Sequence, residues 1–188
     1  MPNLPIPVPK ERILYLAQQV DQTSMNALTK SILEINEDDS YIKKLSEISG
    51  FSYTPRPIEI FVDSYGGYVY QCLGLLGVIS KSNAPVHTIV TGCAMSCGFL
   101  ISIAGHKRFA YDQATFMYHQ VSSGAIGKLK DMEEEVIEAK RLQKIIESHT
   151  LANTKLTEAE LDKCYEQKKD WFFTAKQALK HGIIDEII

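Results

Sequence analysis

Compact apolar runs alternate with stretches of helical spacing in the first half of the chain. The runs at residues 12–16, 58–62 and 86–90 are rich in β-branched and aromatic side chains, which predicts three strands. Residues 21–35 and 68–80 carry apolar side chains near every third or fourth position, which predicts two helices between those strands. A strand, a turn, a helix and a second strand form a βαβ unit, whose two strands run parallel. The pattern therefore predicts an α/β fold.

Residues 37–57 interrupt this pattern with a long polar and charged stretch. The stretch ends in Pro55 and Pro57, which disfavour a regular element there. We interpret it as a surface insertion that holds at most a short helix over residues 41–48. The preceding helix should then end at about Ile35.

Shorter elements follow in the second half of the chain. An apolar run at residues 99–104 predicts a helix, and residues 107–111 and 115–118 read as two short strands. Both strands flank a polar turn, so the second should end just before His119.

A long amphipathic helix is predicted over residues 128–151, where apolar side chains recur every three or four positions and charged ones fill the gaps. Two interpretations stay open: the helix protrudes and packs on a partner subunit, or it packs on its own core. Thr157 and Thr174 follow as caps of two further helices, and residues 183–188 return to the sheet.

The composition is that of an ordinary single-domain globular protein. The chain has 188 residues, is 45% hydrophobic and carries a formal net charge of -3. This charge gives no electrostatic reason for binding nucleic acid or an anionic membrane, and no apolar run approaches the ~20 residues of a membrane helix. The four prolines within residues 1–10 predict a flexible, extended lead-in rather than a secretory signal.

The four cysteines have neither the spacing of a metal site nor the pattern of a disulfide framework. Reduced thiols are the simplest interpretation, and they predict a cytoplasmic protein without a bound metal. Cys93 and Cys97 are expected to be small buried apolar residues.

Ser96 is the candidate for chemistry, because it lies between an apolar strand and the helical run that follows. A serine at such a junction meets the positive end of the helix dipole and free backbone N–H groups, which stabilise developing negative charge. Ala94 and Gly98, two positions to either side, allow a tight turn and close approach of a substrate. Two interpretations stay open here: Ser96 is a nucleophile, or it is an ordinary helix N-cap.

Two further features should lie at the same edge of the sheet. Gly66 and Gly67 follow a predicted strand, and the carboxyl ends of neighbouring parallel strands lie side by side, which places these glycines near Ser96. A Gly-Gly pair is equally typical of a plain tight turn. His119 follows a strand end and is the candidate general base, whereas the other histidines lie in turns, at a strand start or near a helix end.

Four short segments occur in an order and at spacings that are typical of one protein family. They are residues 63–67 (Asp-Ser-Tyr-Gly-Gly), 92–98 (Gly-Cys-Ala-Met-Ser-Cys-Gly), 116–120 (Phe-Met-Tyr-His-Gln) and 170–185, which begins Asp-Trp-Phe. Together they resemble the glycine loop, nucleophile segment, histidine segment and acid segment of the ClpP family, the proteolytic subunit of the Clp protease. The resemblance runs from about Glu11 to the C-terminus and implies a serine endopeptidase.

The resemblance implies a Ser–His–Asp triad, in which Ser96 is the nucleophile, His119 the general base and Asp170 the acid that orients it. It also implies that the backbone N–H groups of Gly67 and Cys97 form the oxyanion hole. Further residues would contact the substrate: Gly66, Gln120, Ser123 and Gly124.

The resemblance further implies a crotonase-like, ClpP-like α/β fold. This fold is a βαβ spiral, in which residues 11–188 form one domain and residues 128–151 a protruding handle helix. Members of the family stack as two seven-membered rings around a chamber, into which an ATP-driven AAA+ unfoldase feeds polypeptide. The chain has no glycine-rich phosphate loop ending in Lys-Ser or Lys-Thr, so we expect no cofactor of its own and ATP only through the unfoldase.

Several departures from the family pattern keep alternatives open. Tyr65 and Val121 stand where the family usually has proline, and Trp171 stands where many members have arginine. A catalytically weak or inactive scaffold subunit of a mixed ring is therefore a second interpretation. Acyl-CoA chemistry on the same fold is a third, and Asp112, which lies between Ser96 and His119 in the chain, is an alternative acid.

Overall fold

The computed structural model describes residues 11–188, so the lead-in predicted for residues 1–10 lies outside the described residues. Within that range seven strands form one sheet: β1 (Ile13–Leu16), β2 (Ile58–Ser64), β3 (Val86–Met95), β4 (Lys107–Ala110), β5 (Thr115–Tyr118), β6 (Trp171–Thr174) and β7 (Glu186–Ile187). Neighbouring strands follow the order β1-β2-β3-β4-β7, and each of these pairs is parallel. The mainly parallel sheet confirms the predicted α/β fold.

β3 is longer than predicted and changes partners along its length. On one side β3 pairs with β2, at residues 86–90 and again at Ala94; on the other side residues 87–90 pair with β4 and residues 93–95 pair in parallel with β5. β5 in turn pairs antiparallel with β6. The far end of β3 therefore carries Ser96 to the end of β5, where His119 follows.

Six helices accompany the sheet in the same described range: α1 (Gln22–Ser49), α2 (Val69–Ser80), α3 (Cys97–Ser102), α4 (Leu129–Asn153), α5 (Glu158–Gln167) and α6 (Ala175–Lys180). Apolar side chains of the sheet and of α1, α2 and α3 form one buried cluster. Both predicted caps are confirmed, because the side chains of Thr157 and Thr174 accept hydrogen bonds from the backbone N–H groups of Glu160 and Gln177. None of the described helices is long and apolar enough to cross a membrane.

The surface insertion predicted over residues 37–57 is wrong in its first part, because α1 continues without a break to Ser49. Asp39 explains the continuation. Its side chain is 1% exposed, and it is held by an ion pair with Arg12 and by the hydroxyl group of Tyr53. Both partners come from outside the helix. A stretch that is polar enough to predict a loop is therefore stabilised as a helix by long-range pairing.

α4 confirms the predicted long helix and its packing on the chain's own core, whereas packing on a partner subunit stays a prediction. Its second half packs on the core through Leu142 and Ile146, which are 7% and 5% exposed. Residues 126–137 are exposed throughout, although Leu129 and Val136 among them are apolar. The first half of α4 therefore extends beyond the core with an uncovered apolar surface.

Candidate active site

Ser96 lies at a sharp turn between β3 and α3. Its backbone has φ 53° and ψ -122°, a conformation that costs a non-glycine residue roughly 1–3 kcal/mol and that clusters at functional sites. The N–H of Ser96 fixes the turn by donating to the carbonyl oxygen of Met117 on β5 at 2.9 Å. Although Ser96 occupies the N-cap position of α3, its side chain makes no capping hydrogen bond to the described helix. The N-cap interpretation of its hydroxyl group is therefore wrong.

The hydroxyl group of Ser96 instead contacts His119, whose Nε2 lies 2.8 Å from the serine Oγ. The ladder between β3 and β5 brings the two residues together, since Met95, one residue before Ser96, pairs with Met117, two residues before His119. In the tautomer with the proton on Nδ1, Nε2 accepts the hydrogen bond from the serine and can remove its proton. The structure thus brings together the predicted nucleophile and the predicted base.

The glycine turn packs against this pair. A β-carbon on Gly66 would lie 2.7 Å from the β-carbon of Ser96 and 2.9 Å from the backbone nitrogen of Cys97. Gly66 has φ 97° and Gly67 has φ 154°, conformations that side chains of L-residues rarely allow. Two backbone hydrogen bonds of 2.8 Å join Val20 to this turn. The N–H of Val20 donates to the carbonyl oxygen of Gly66, and the N–H of Tyr68 donates to the carbonyl oxygen of Val20. The N–H of Gly67 takes no part in this bridge.

A small pocket of about 70 Å³ joins these features. The residues that line it include the predicted nucleophile, the predicted base, both predicted oxyanion-hole residues and one predicted substrate residue: Ser96, His119, Gly67, Cys97 and Gln120. Its apolar wall is formed by Val69, Leu100 and Ile146. Gly66 is not among the described lining residues, and its contact with the site is the close backbone approach alone. A pocket of this kind suits a small apolar group held beside a reactive serine.

The other predicted substrate residues lie on the loop after His119. Ser123 and Gly124 line a groove of about 250 Å³ between this loop and α4. The hydroxyl group of Ser123 donates to Glu135 on α4, and the N–H of Val121 donates to Oε1 of Gln143 at 2.8 Å. Two hydrogen bonds to α4 therefore hold the loop that follows the histidine.

Gln143 is a residue of this site that the sequence did not single out. Its side chain is buried, and its Nε2 donates to Glu147 at 2.7 Å, which leaves Oε1 directed at Val121. The family that the sequence resembles usually has proline at position 121. Proline has no backbone N–H that needs a hydrogen-bond partner, whereas valine has one. The only signal in the sequence is a polar side chain beside Leu142 on the inner side of α4.

Replacing Gln143 with alanine should lower the rate at which Ser96 reacts with a fluorophosphonate probe by about 5- to 10-fold. The lost hydrogen bond of about 1 kcal/mol leaves the N–H of Val121 unpaired and loosens the loop beside His119. Rates of adduct formation measured by mass spectrometry would show the change. Lys144→Ala, an exposed neighbour on the same helix, is the control. An unchanged rate in the Gln143 variant would remove Gln143 from the site.

Asp170 lies across a cleft from His119. Both residues line this cleft of about 340 Å³, and no hydrogen bond joins them in the described structure. The β5–β6 ladder pairs Tyr118 with Trp171, so its next step places Asp170 opposite His119. The register therefore leaves both residues directly beyond the last pair of the ladder, on the two sides of the same cleft.

Asp112 is the less suitable acid. It is exposed in the turn before β5, where its carboxylate accepts a hydrogen bond from Gln113 at 3.3 Å. The four-residue strand β5 lies between it and His119 and alone spans roughly 13 Å. It lines neither of the described pockets that contain His119.

Two further titratable groups near the site, the Cys93 thiol and the Tyr118 hydroxyl group, have raised pKa values. Burial and the neighbouring Asp63 carboxylate raise the pKa of the Cys93 thiol to about 11, so this thiol stays protonated at neutral pH. Burial also raises the pKa of the Tyr118 hydroxyl group. Residues 11–188 contain no group of three or more His, Cys, Asp or Glu side chains that could hold a metal ion.

Comparison with known proteins relates this site to one family. The sequence model of the Clp protease family matches residues 7–188. The ATP-dependent Clp protease proteolytic subunit of Deinococcus radiodurans is 27% identical over 181 residues, which cover 95% of this chain and 81% of the relative. The proteins of the same name from Bacteroides thetaiotaomicron and Porphyromonas gingivalis are both 29% identical, over 95% of this chain and 74% of their own length. The chain therefore belongs to the Clp protease family, and its parallel sheet with surrounding helices is the α/β fold of that family.

Proposed function

We propose that the chain is a serine endopeptidase that hydrolyses peptide bonds inside a ring-shaped, self-compartmentalised oligomer. The observation that carries the proposal is the contact of 2.8 Å between Ser96 Oγ and His119 Nε2 at a strained strand-to-helix turn. A serine hydroxyl is a weak nucleophile unless a base removes its proton, and this contact supplies the base. The relatives described above are named as proteolytic subunits, which agrees with this chemistry.

The reaction follows from the geometry of the pair. His119 Nε2 takes the hydroxyl proton while Ser96 Oγ attacks the carbonyl carbon of the peptide bond. The N–H groups of Gly67 and Cys97, which line the same pocket, are the candidate donors to the resulting oxyanion. His119 then returns the proton to the leaving amine, and water releases the acyl group by the same steps.

Asp170 completes the proposed triad. Its register position opposite His119 allows its carboxylate to accept a hydrogen bond from Nδ1–H after a side-chain rotation. That hydrogen bond would fix the tautomer in which Nε2 faces Ser96 and would stabilise the imidazolium during the reaction. We propose that assembly of the ring brings the Asp170 carboxylate into contact with the His119 imidazole.

The proposed assembly is a homo-oligomer of two stacked heptameric rings. Exposed apolar side chains on the protruding half of α4, such as Leu129 and Val136, supply a surface for it. Burying one such side chain contributes about 1.5–3 kcal/mol, so packing of a second chain on this surface is favourable. The relatives are named ATP-dependent, and this chain has no phosphate loop of its own. An AAA+ unfoldase that feeds polypeptide substrates in the cytoplasm would then supply the ATP dependence.

A weak or inactive scaffold subunit is the second candidate. The lack of a hydrogen bond between Asp170 and His119 in the described structure favours it, as do Tyr65 in the glycine loop and Trp171 after the acid. Acyl-CoA chemistry has less support, because it needs no serine–histidine contact and the relatives are named as protease subunits.

Labelling with a fluorophosphonate probe tests the proposal, with peptide mass spectrometry to locate the adduct. We expect an adduct on Ser96 that forms about 10²–10⁴-fold more slowly in His119→Ala, because the general base is lost. His87→Ala is the matched control, since His87 lies in β3 against Phe109 and not at the site. An intact oligomer without an adduct on Ser96 would favour the scaffold subunit instead.

A further inference from the structure

Two thiols, those of Cys72 and Cys97, lie beside the backbone of the proposed oxyanion hole. Cys97 follows Ser96 at the start of α3, and its Sγ lies 3.3 Å from the carbonyl oxygen of Gly67. Cys72 lies on α2, with its Sγ 3.6 Å from the carbonyl oxygen of Cys97. The serine peptidase reaction proposed above uses neither sulfur. Because the sulfurs contact backbone carbonyl groups of Gly67 and Cys97, a reaction of either sulfur would affect this backbone.

The two thiols differ in access and in acidity. Cys97 lines the pocket that holds Ser96 and His119, whereas Cys72 is fully buried behind it. The hydrogen bond from Cys72 lowers the pKa of the Cys97 thiol, and the same contact together with burial raises the pKa of Cys72. A small reagent that enters the pocket therefore meets Cys97 first. Cys72 is then the nearest thiol that can react with the product.

We propose that Cys97 is an oxidation site and Cys72 its resolving partner, so that a peroxide joins them in a disulfide and switches off Ser96. This regulation rests on the function proposed above. It needs no further side chain, because the Cys72 sulfur already lies 3.6 Å from the backbone carbonyl oxygen of Cys97 itself.

The chemistry balances in two steps. The Cys97 thiolate attacks one oxygen of hydrogen peroxide, the O–O bond breaks, and the leaving hydroxide takes up the proton that Cys97 released. The sulfur is then a sulfenic acid. Cys72 attacks it, the S–O bond breaks, and the leaving hydroxide takes the proton of Cys72 as a second water. Two thiols lose two electrons, and the peroxide gains them.

The disulfide would disturb the oxyanion hole. The two sulfurs must approach to about 2.05 Å, and the fully buried side chain of Cys72 in the first turn of α2 has little room to move. We therefore expect Cys97 to move. Its Sγ would leave the carbonyl oxygen of Gly67, and its backbone N–H, a proposed donor to the oxyanion, would be displaced as well. A displacement on the order of 1 Å at a reactive centre costs about 10²-fold in rate.

The test treats the assembled full-length protein with hydrogen peroxide and then divides the sample. One half is digested without reduction and searched by mass spectrometry for a peptide that links Cys72 to Cys97. The other half reacts with the fluorophosphonate probe before and after dithiothreitol. We expect the linked peptide, a fall in labelling of Ser96 by about 100-fold, and recovery after reduction.

Two variants sharpen the result. Cys72→Ala should label normally when reduced, form no linked peptide, and lose labelling irreversibly on prolonged exposure as Cys97 proceeds to sulfinic acid. Cys93→Ala retains both Cys72 and Cys97, so it should form the linked peptide and lose and recover labelling as the unchanged protein does. A missing linked peptide, or a linked peptide with undiminished labelling, would overturn the proposal. Failure of Ser96 to react before any peroxide is added would contradict the peptidase function instead, while the linked peptide is still measured independently.

Discussion

Replacing Ser96 with alanine should lower kcat for peptide hydrolysis by about 10⁶-fold, because the remaining site can only activate water. The hydroxyl group contacts His119 and caps no helix in the described structure, so its loss removes a reaction partner and little else. Alanine keeps a β-carbon in the same strained turn. The free energy of unfolding should therefore change by less than about 1 kcal/mol. Hydrolysis of a fluorogenic peptide and urea unfolding measure the two quantities.

Ser80→Ala is the matched control for this experiment. Ser80 is an exposed serine at the end of α2, away from the pocket that holds Ser96. The control should hydrolyse the peptide at the original rate. Clear turnover by a folded Ser96→Ala protein would assign the nucleophile to another residue.

The turn at Ser96 could be predicted from the sequence, but the path of the strand before it could not. The apolar run ends at Val90, whereas β3 continues to Met95. Thr91 and Gly92 are exposed at the point where the strand exchanges β4 for β5 as its partner on one side. Periodicity reflects one constant environment, so a strand that changes partners loses its pattern at the change.

The long helix α1 shows the same limit. Local composition predicts an end near Ile35, and the structure ends the helix at Ser49. The deciding contact is between Asp39 and two residues that are distant in sequence, Arg12 and Tyr53. A buried carboxylate is stable only with such partners, and no window of sequence around Asp39 contains both.

Asp170 could be identified from its motif but not positioned from it. Its relation to His119 depends on the antiparallel register between β5 and β6, in which Tyr118 faces Trp171. The four residues of β6 are too few to show a period of two. Gln143 is harder still, because its role depends on a single hydrogen bond to the loop after His119.

Alanine at position 66 should disrupt both the fold and the site, whereas the same change at Gly77 should stabilise the protein. The new β-carbon would lie 2.7 Å from the carbonyl oxygen of Met95 and 2.9 Å from the backbone nitrogen of Cys97. Both are backbone atoms, which cannot move aside as a flexible side chain would. We expect a loss of about 2–6 kcal/mol in the free energy of unfolding, from the positive φ and the crowding together.

Labelling of Ser96 separates damage to the site from loss of the fold. A shift on the order of 1 Å at Ser96 and Cys97 should slow the fluorophosphonate reaction by about 10²-fold in the fraction that stays folded. Gly77→Ala is the matched control, because no atom lies within 4 Å of its added β-carbon in α2. It should gain about 0.5–1 kcal/mol and label normally. Gly67→Ala is less informative, since its β-carbon would meet the Val20 carbonyl oxygen at 2.1 Å and oppose folding itself. A folded Gly66→Ala protein that labels at the original rate would show that the glycine turn does not position the nucleophile.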